Sequence, residues 1–349
     1  MARPSVLRQL SNPDNRFHET AVEWDVEPPP KVSLELFEDR SKGVLSKNDS
    51  PDLGFEYSVN PYRGCFHGCA YCYARPSHEY LDFGAGTDFE RKLVLKRDAP
   101  ALLRTQFQRR SWVGKLVVFS GNTDCYQPLE AVHGLTRACL EVCLEFRNPV
   151  SIITKGAVIE RDIELIASLV REAYAAVTIS LPFLSSEYAR AIEPYVPSPA
   201  RRLQVVERLA AAGIPVGVNV APIIPGLNDA EAPGILEAAH AAGASFYGTT
   251  MVRLPRPVDK VFEARIRETL PLRADRILSQ IEACRGGARN DSRFGARMRG
   301  QGARWDVIET MVRSTAKRLG LGRAPAVPDP SPFRRPDPNG QISLFESDC

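Results

Sequence analysis

The 349-residue sequence contains no run of about 18 apolar residues, so it offers no stretch that reads as a membrane-spanning helix. Its opening residues, MARPSVLRQLSNPDNRF, lack the apolar core of a secretory leader, and the expected compartment is the cytoplasm. Thiols stay reduced there, so clustered cysteines point to metal or redox use rather than to a disulfide framework. Net charge is also scarce. The 45 Lys and Arg residues stand against 42 Asp and Glu, a formal balance of +3, and composition alone identifies no partner. No internal repeat is evident, which argues against solenoids and propellers.

What is present is concentrated. Three of the eight cysteines, Cys65, Cys69 and Cys72, fall in the stretch YRGCFHGCAYCYARPSH (62–78) with the spacing C-x3-C-x2-C. Gly64 and Gly68 let the backbone turn tightly enough for three thiolates to face one ion or cluster. A structural zinc site would take a fourth ligand from His67 or His78. Such sites usually draw ligands from two knuckles, however, and the sequence has no second C-x2-C. Three cysteines also suit a [4Fe–4S] cluster in which one iron has no protein ligand and is open to chemistry.

Downstream, short apolar runs alternate with amphipathic stretches. The expected strands are FEYSVN (55–60), KLVVFSG (115–121), VSIITK (150–155), AVTISLP (176–182), IPVGVNVAPII (214–224) and ASFYGTTMVRL (244–254). Expected helices include LTRACLEVCLEF (135–146), RDIELIASLVREAY (161–174), RRLQVVERLAAAG (201–213) and EAPGILEAAHAAG (231–243). Alternation of this kind predicts an α/β fold with a parallel sheet, and six such units predict a partial (β/α)6 barrel. Residues 1–50 read as an N-terminal extension and 51–320 as the core with a basic C-terminal helical segment. Residues 321–349 read as a proline-rich, disordered or extended tether. In such barrels chemistry gathers at the carboxyl ends of the strands. The cysteine loop, Asn122, Thr123, Asp124, Lys155 and Ser180 all belong at that end.

C-x3-C-x2-C with Tyr71 before the last cysteine resembles the signature of the radical S-adenosylmethionine (SAM) superfamily. The segments SVNPYRGCFHGCAYCYARPSHEYL, GNTDCYQPLE (121–130), IITKGAVIERD (152–162) and APIIPGLND (221–229) resemble its spore photoproduct lyase-like, DNA repair branch, over about residues 50–320. The resemblance implies a [4Fe–4S] cluster on Cys65, Cys69 and Cys72. It further implies cleavage of SAM to a 5′-deoxyadenosyl radical, with electrons from an external donor, and abstraction of a substrate hydrogen. It also implies that Thr123, Lys155 and Ser180, with Asn122 and Asp124 beside them, hold SAM; surface solvation and helix capping are the plainer readings of Lys155 and Ser180. The branch carries a hydrogen-donating cysteine where Gly121 stands here. Cys125, Tyr71 and Tyr73 are the candidate replacements, with packing the plainer reading of the tyrosines.

Three features lie outside the signature. Cys139 and Cys143 share one helix face, where core packing is the expectation and a second metal site the alternative. The segment RGGARNDSRFGARMRGQGAR (285–304) carries Arg285, Arg289, Arg293, Arg297 and Arg299, which suit a phosphate backbone, with Phe294 and Trp305 available to stack on bases. An ordinary solvated basic face, or pairing with the chain's own carboxylates, is the competing reading. Finally, QISLF (341–345), through Gln341, Ile342, Leu344 and Phe345, is similar to the peptide that docks bacterial repair proteins on the DNA sliding clamp. The expected substrate is nucleic acid, DNA favoured. An RNA- or peptide-modifying radical enzyme and a non-catalytic metal-stabilised binding protein are the alternatives.

Overall fold

A computed structural model describes residues 7–10 and 33–336. Among these residues the strands are β1 Leu7–Leu10, β2 Glu35–Asp39, β3 Leu45–Lys47, β4 Tyr57–Val59, β5 Tyr62–Arg63, β6 Lys92–Leu95, β7 Val117–Phe119, β8 Val150–Thr154, β9 Ala175–Ser180, β10 Val216–Ile223 and β11 Phe246–Met251. They form two sheets. The larger has the order β3-β4-β7-β8-β9-β10-β11, and every pairing from β4 to β11 is parallel. Each of the six runs expected from the sequence supplies one of these parallel strands, in sequence order. The sheet is open, with antiparallel β3 at one edge and β11 at the other, so the architecture is a partial barrel.

The intervening helices cover the outer face because their apolar residues recur at helical spacing. In Pro199–Ala211, for example, Arg202, Val205, Val206 and Leu209 are buried at i, i+3, i+4 and i+7. That helix begins where its pattern predicts. Ser198 accepts the Arg201 amide (3.2 Å) as N-cap, and Pro199 occupies the first turn. Cys139 and Cys143 are fully buried in the main core, so they pack as small apolar residues. No helix among the described residues is long and apolar enough to cross a membrane.

The smaller sheet, β1-β2-β6-β5, departs from the expected extension. Residues 35–38 pair in parallel register with 92–95, and β5 pairs antiparallel with the same strand immediately before the cysteine loop. Part of the N-terminal segment is therefore a structural support for the loop's entrance. Leu93, Val94 and Leu95 are completely buried, so the short run KLVL holds a strand that no long-range alternation announces.

The proline-rich segment also differs from a free tether as far as Pro336. Tyr174 Oη donates to Pro325 O (2.8 Å), Ser331 Oγ to Gly114 O (2.7 Å), and Arg335 Nη2 to Trp112 O (2.6 Å). The Phe333 ring lies against Phe107 and Phe146. These partners precede β7, β8 and β9, so the segment is strapped across the amino ends of the strands, opposite the mouth. Gln341, Ile342, Leu344 and Phe345 lie outside the described residues.

Candidate active site

The cysteine loop leaves β5 and is folded around one side chain. Arg75, only 2% exposed, uses all five of its N–H groups. Its Nε donates to Cys69 O (3.0 Å), Nη1 to Ala85 O (3.0 Å) and Gly86 O (2.7 Å), and Nη2 to Gly68 O (2.9 Å) and Glu90 Oε2 (2.8 Å). Gln127 adds a second clamp, accepting the Phe66 amide (2.9 Å) and donating to Gly64 O (3.1 Å). Neither Arg75 nor Gln127 stands out in the sequence, because all their partners but Glu90 are backbone groups.

Gly64 has φ +74°, and a Cβ there would come within 2.8 Å of both Leu93 Cδ2 and Phe89 O. Both the left-handed backbone and the close approach require glycine. We expect Gly64→Ala to cost about 1–3 kcal/mol, the scale of one strained residue, and to lower iron incorporation. Gly43→Ala, at a site with nothing within 4 Å of the added carbon, should leave both unchanged. Thermal melts and iron assay compare the two.

Cys65 and Cys69 are buried and Cys72 is half-buried. Burial, and then the neighbouring Asp124, Cys69 and Cys72 charges, push the Cys65 thiol well up. Cys69 is pushed up to about 12, chiefly by burial, with Lys155 and Arg75 acting in the opposite sense. Those two cations are the groups that favour a thiolate at Cys69 once it is a ligand. A [4Fe–4S] cluster takes one cysteine per iron, and the three cysteines of this loop supply three such ligands and leave one iron open. His67 Nδ1 faces Asp124 Oδ2 at 3.3 Å and His78 Nε2 faces Lys92 O at 2.8 Å, so both imidazoles are engaged elsewhere.

The strand register assembles the opposite wall. Thr154 pairs with Ile179, Ser180 with Asn219, and Asn219 with Gly248. One step beyond Thr154, Lys155 therefore stands in a row with Ser180, Asn219 and Gly248 across four neighbouring strands. Parallel partners in register face the same side. Lys155 Nζ lies 5.8 Å from the centre of the Tyr71 ring, beside the cysteine loop. Burial alone would lower its pKa, but Cys69, Glu193 and Asp124 outweigh it and hold the ammonium charged. Asn219 does not stand out in the sequence; a polar residue inside an otherwise apolar strand run is its only signal.

The loop after β7 is less open than expected. Thr123 is buried, and its Oγ1 donates to Tyr62 O (2.6 Å), which commits that proton to the fold. Asn60 Oδ1 accepts the amides of Asn122 (2.8 Å) and Thr123 (3.3 Å). Asp124 accepts from Thr154 Oγ1 (2.5 Å) and the Lys155 amide (2.8 Å). Burial opposes its ionisation, yet His67, Thr154 and the Lys155 amide hold the carboxyl far below the usual range. Asp124 thus positions Lys155 rather than facing a ligand. Cys125 is 1% exposed, its thiol packs in the main core, and burial pushes its pKa well up.

The two tyrosines separate. Tyr71 is buried, and its hydroxyl donates to Glu193, which forms a fully buried ion pair with Arg202 (2.7 Å); Arg202 Nη1 in turn donates to Ser180 O (2.9 Å). This chain of contacts ties the cysteine loop to the end of β9, a structural part. Tyr73, 49% exposed, sits at the mouth with its Oη 3.0 Å from Gly121 O. The guanidinium of Arg253, two residues past β11, lies 5.7 Å from the Tyr73 ring centre, and its buried Nε has no partner among the described residues.

Most arginines of the basic segment have partners within the protein. Arg285 is buried and donates to the carbonyls of Val252, Ala296, Arg297 and Arg299. Arg289 pairs with Glu263 and Glu282, Arg293 with Asp291, and Arg297 with Asp52. Of the five expected nucleic-acid contacts only Arg299 has its side chain without a partner among the described residues. Phe294 is 61% exposed, but Trp305, 5% exposed, is closed to stacking.

An open (β/α) barrel carrying three cysteines and a charged strand-end row at one mouth defines a barrel enzyme with a cluster site. The family model for the radical SAM superfamily matches residues 59–239, just over half of the chain, and the chain belongs to that superfamily. The superfamily uses a [4Fe–4S] cluster and SAM. Among curated relatives, the uncharacterized protein Rv2578c of Mycobacterium tuberculosis is 38% identical over 213 residues, 59% of this chain and 63% of that one. The chain thus matches just under two thirds of that relative's length. The uncharacterized protein MJ0683 of Methanocaldococcus jannaschii is 28% identical over 200 residues, 57% of this chain and 71% of that one. Among solved structures, a point mutant of spore photoproduct lyase superposes with a TM-score of 0.58 at 16% identity, covering 83% of this chain and 80% of that one. A double mutant of the same lyase, with bound AdoMet and dinucleoside spore photoproduct, gives 0.55 at 17%, covering 81% and 78%. At these identities the likeness is one of fold.

Proposed function

We propose that this chain is a radical SAM enzyme that abstracts a hydrogen atom from a nucleic-acid substrate, DNA favoured, in the manner of a lesion-reversing lyase. The observation that carries this reading is the meeting at one mouth of the cysteine loop, the Lys155–Ser180–Asn219 row and the Tyr73 phenol. Cys65, Cys69 and Cys72 would hold the cluster. Lys155 would hold the SAM carboxylate through a charge-assisted bond, with Ser180 and Asn219 as hydrogen-bond partners beside it. The cluster and SAM, when bound, supply a 5′-deoxyadenosyl radical for hydrogen abstraction. Arg253, whose guanidinium lies over the exposed Tyr73 ring, would receive an anionic group of the substrate there.

Tyr73 is the candidate hydrogen donor. The relatives of the resembled branch carry a cysteine at the position of Gly121, and here the Tyr73 hydroxyl reaches the carbonyl of that residue. Tyr73→Phe is therefore expected to leave SAM cleavage intact while product formation falls, so that 5′-deoxyadenosine accumulates without matching substrate conversion. Equal turnover in the variant would remove Tyr73 from the reaction.

The same reading has the enzyme in the cytoplasm, reduced by an external donor, and docked on the sliding clamp through Gln341, Ile342, Leu344 and Phe345. The test is anaerobic reconstitution with iron and sulfide, then dithionite and SAM, with ultraviolet-irradiated or undamaged DNA and Cys72→Ala as control. 5′-Deoxyadenosine that rises with irradiated DNA and vanishes in the variant is the expected result. One specific observation favours a second reading: four of the five arginines expected on a phosphate backbone are paired or buried within the protein. That favours a compact substrate, an RNA nucleotide or a peptide, and cleavage indifferent to DNA would select it. A protein that takes zinc, builds no cluster and leaves SAM intact would overturn the enzyme reading.

A further inference from the structure

Phe246 and Gly248 share the lumen-facing side of β11 with Asn219, so Tyr247 and Thr249 point to the outside of the barrel's open edge. The helix Ala303–Arg318 lies over that outer side and leaves a cavity of about 430 Å³, within the size range of small-ligand sites. Its wall carries three guanidinium groups, Arg299, Arg313 and Arg323, against the single carboxylate of Glu309. None of the three arginine side chains has a partner among the described residues, although the neighbouring Arg289, Arg293, Arg297, Arg304 and Arg318 are all in ion pairs.

Trp305 lines the same cavity, so its indole reports on what occupies it. Three guanidinium groups with no ion-pair partner are complementary to an oxyanion with several acceptor oxygens, and planar guanidinium forks match phosphate in particular.

We propose that this cleft on the outer side of β11 is a phosphate-binding site, separate from the barrel mouth. The phosphate can belong to a free nucleotide or to one residue of a strand, since both present the same oxygens. The site requires neither cluster nor SAM, so its test does not depend on the chemistry assigned to the mouth.

The experiment is titration of the full-length protein with inorganic phosphate, a nucleoside 5′-monophosphate and a short single-stranded oligodeoxynucleotide, followed by calorimetry and tryptophan fluorescence. Saturable binding is expected, weakened at least about tenfold in Arg313→Gln/Arg323→Gln, which removes two charge-assisted bonds. Both arginines are exposed, so the variant should fold. Arg318→Gln, outside the cleft and paired with Glu237, should bind normally. Trp305→Phe should abolish the fluorescence response while binding persists by calorimetry. Binding of phosphate and monophosphate but not of the strand would identify a free ligand. Strand binding displaced by phosphate would identify a nucleic-acid backbone. Absence of saturable binding by all three probes, or binding undiminished in Arg313→Gln/Arg323→Gln, would overturn the proposal.

Discussion

Arg75→Gln is expected to remove the cluster and to lower stability by about 3–5 kcal/mol, the cost of breaking a buried ion pair from one side. The melting temperature should fall by about 4–7 °C for a chain of this size. The reason is the number of groups that depend on one side chain. Four carbonyls lose the Arg75 guanidinium: those of Gly68 and Ala85 lose the donor given above, those of Cys69 and Gly86 keep only the amides of Cys72 and Phe89, and Glu90 loses its ion-pair partner. Because those carbonyls lie in and around the cysteine loop, the loop is expected to open before the barrel does. Iron content should therefore fall further than the melt alone implies, and hydrogen exchange of the Gly68 to Cys72 amides should accelerate. Arg75→Lys separates charge from geometry. A point charge with three donors cannot reproduce a planar fork with five, so it should recover part of the stability and little of the iron. Full iron loading in Arg75→Gln would show that the cysteines are positioned without it.

The legible and illegible parts of this protein divide along the range of the interactions. The six parallel strands and four of the helices are written in apolar periodicity, a local signal, and each run falls on its element within a few residues. The cluster cysteines are legible because three ligands to one group must lie close in sequence on a tight loop. Lys155 and Ser180 follow from their place at strand ends. Arg75, Gln127 and Glu193 are not legible, since their partners are backbone groups or side chains distant in sequence. The burial of Cys125 is not legible for a related reason: residues in a loop alternate between mouth and core, and bonds to Ser120, Asn60, Tyr62 and Thr154 set which way this loop turns. The pairing of the arginines of 285–304 is not legible either, because composition counts charges and says nothing of the carboxylates opposite them. Asp52, from the far end of the chain, neutralises Arg297.

The second large effect is expected at Glu193 and Arg202, and there the sign depends on whether one or both are changed. Both side chains are almost fully buried, and their 2.7 Å pair is supplemented by the Tyr71 hydroxyl and the Lys155 ammonium on the Glu193 side and by Ser180 O on the Arg202 side. Glu193→Gln leaves the Arg202 cation in the core, and Arg202→Met leaves the Glu193 carboxylate there. Each should cost about 3–5 kcal/mol. In the double variant no buried charge remains, and replacement of a whole buried pair is commonly near neutral, so its cost should fall well below the sum of the two. A double-mutant cycle on unfolding free energies should return a coupling of about 2 kcal/mol or more. The functional consequence differs from the stability one. Arg202 holds the Ser180 carbonyl at the end of β9, and Glu193 holds Tyr71 in the cysteine loop, so the pair fixes the spacing between the two walls of the mouth. The double variant should therefore recover its melting temperature and its iron while SAM binds more weakly than in the parent protein. Recovery of stability together with unchanged SAM affinity would mean that the pair serves the fold alone, and that the spacing of the mouth is set by the strand register.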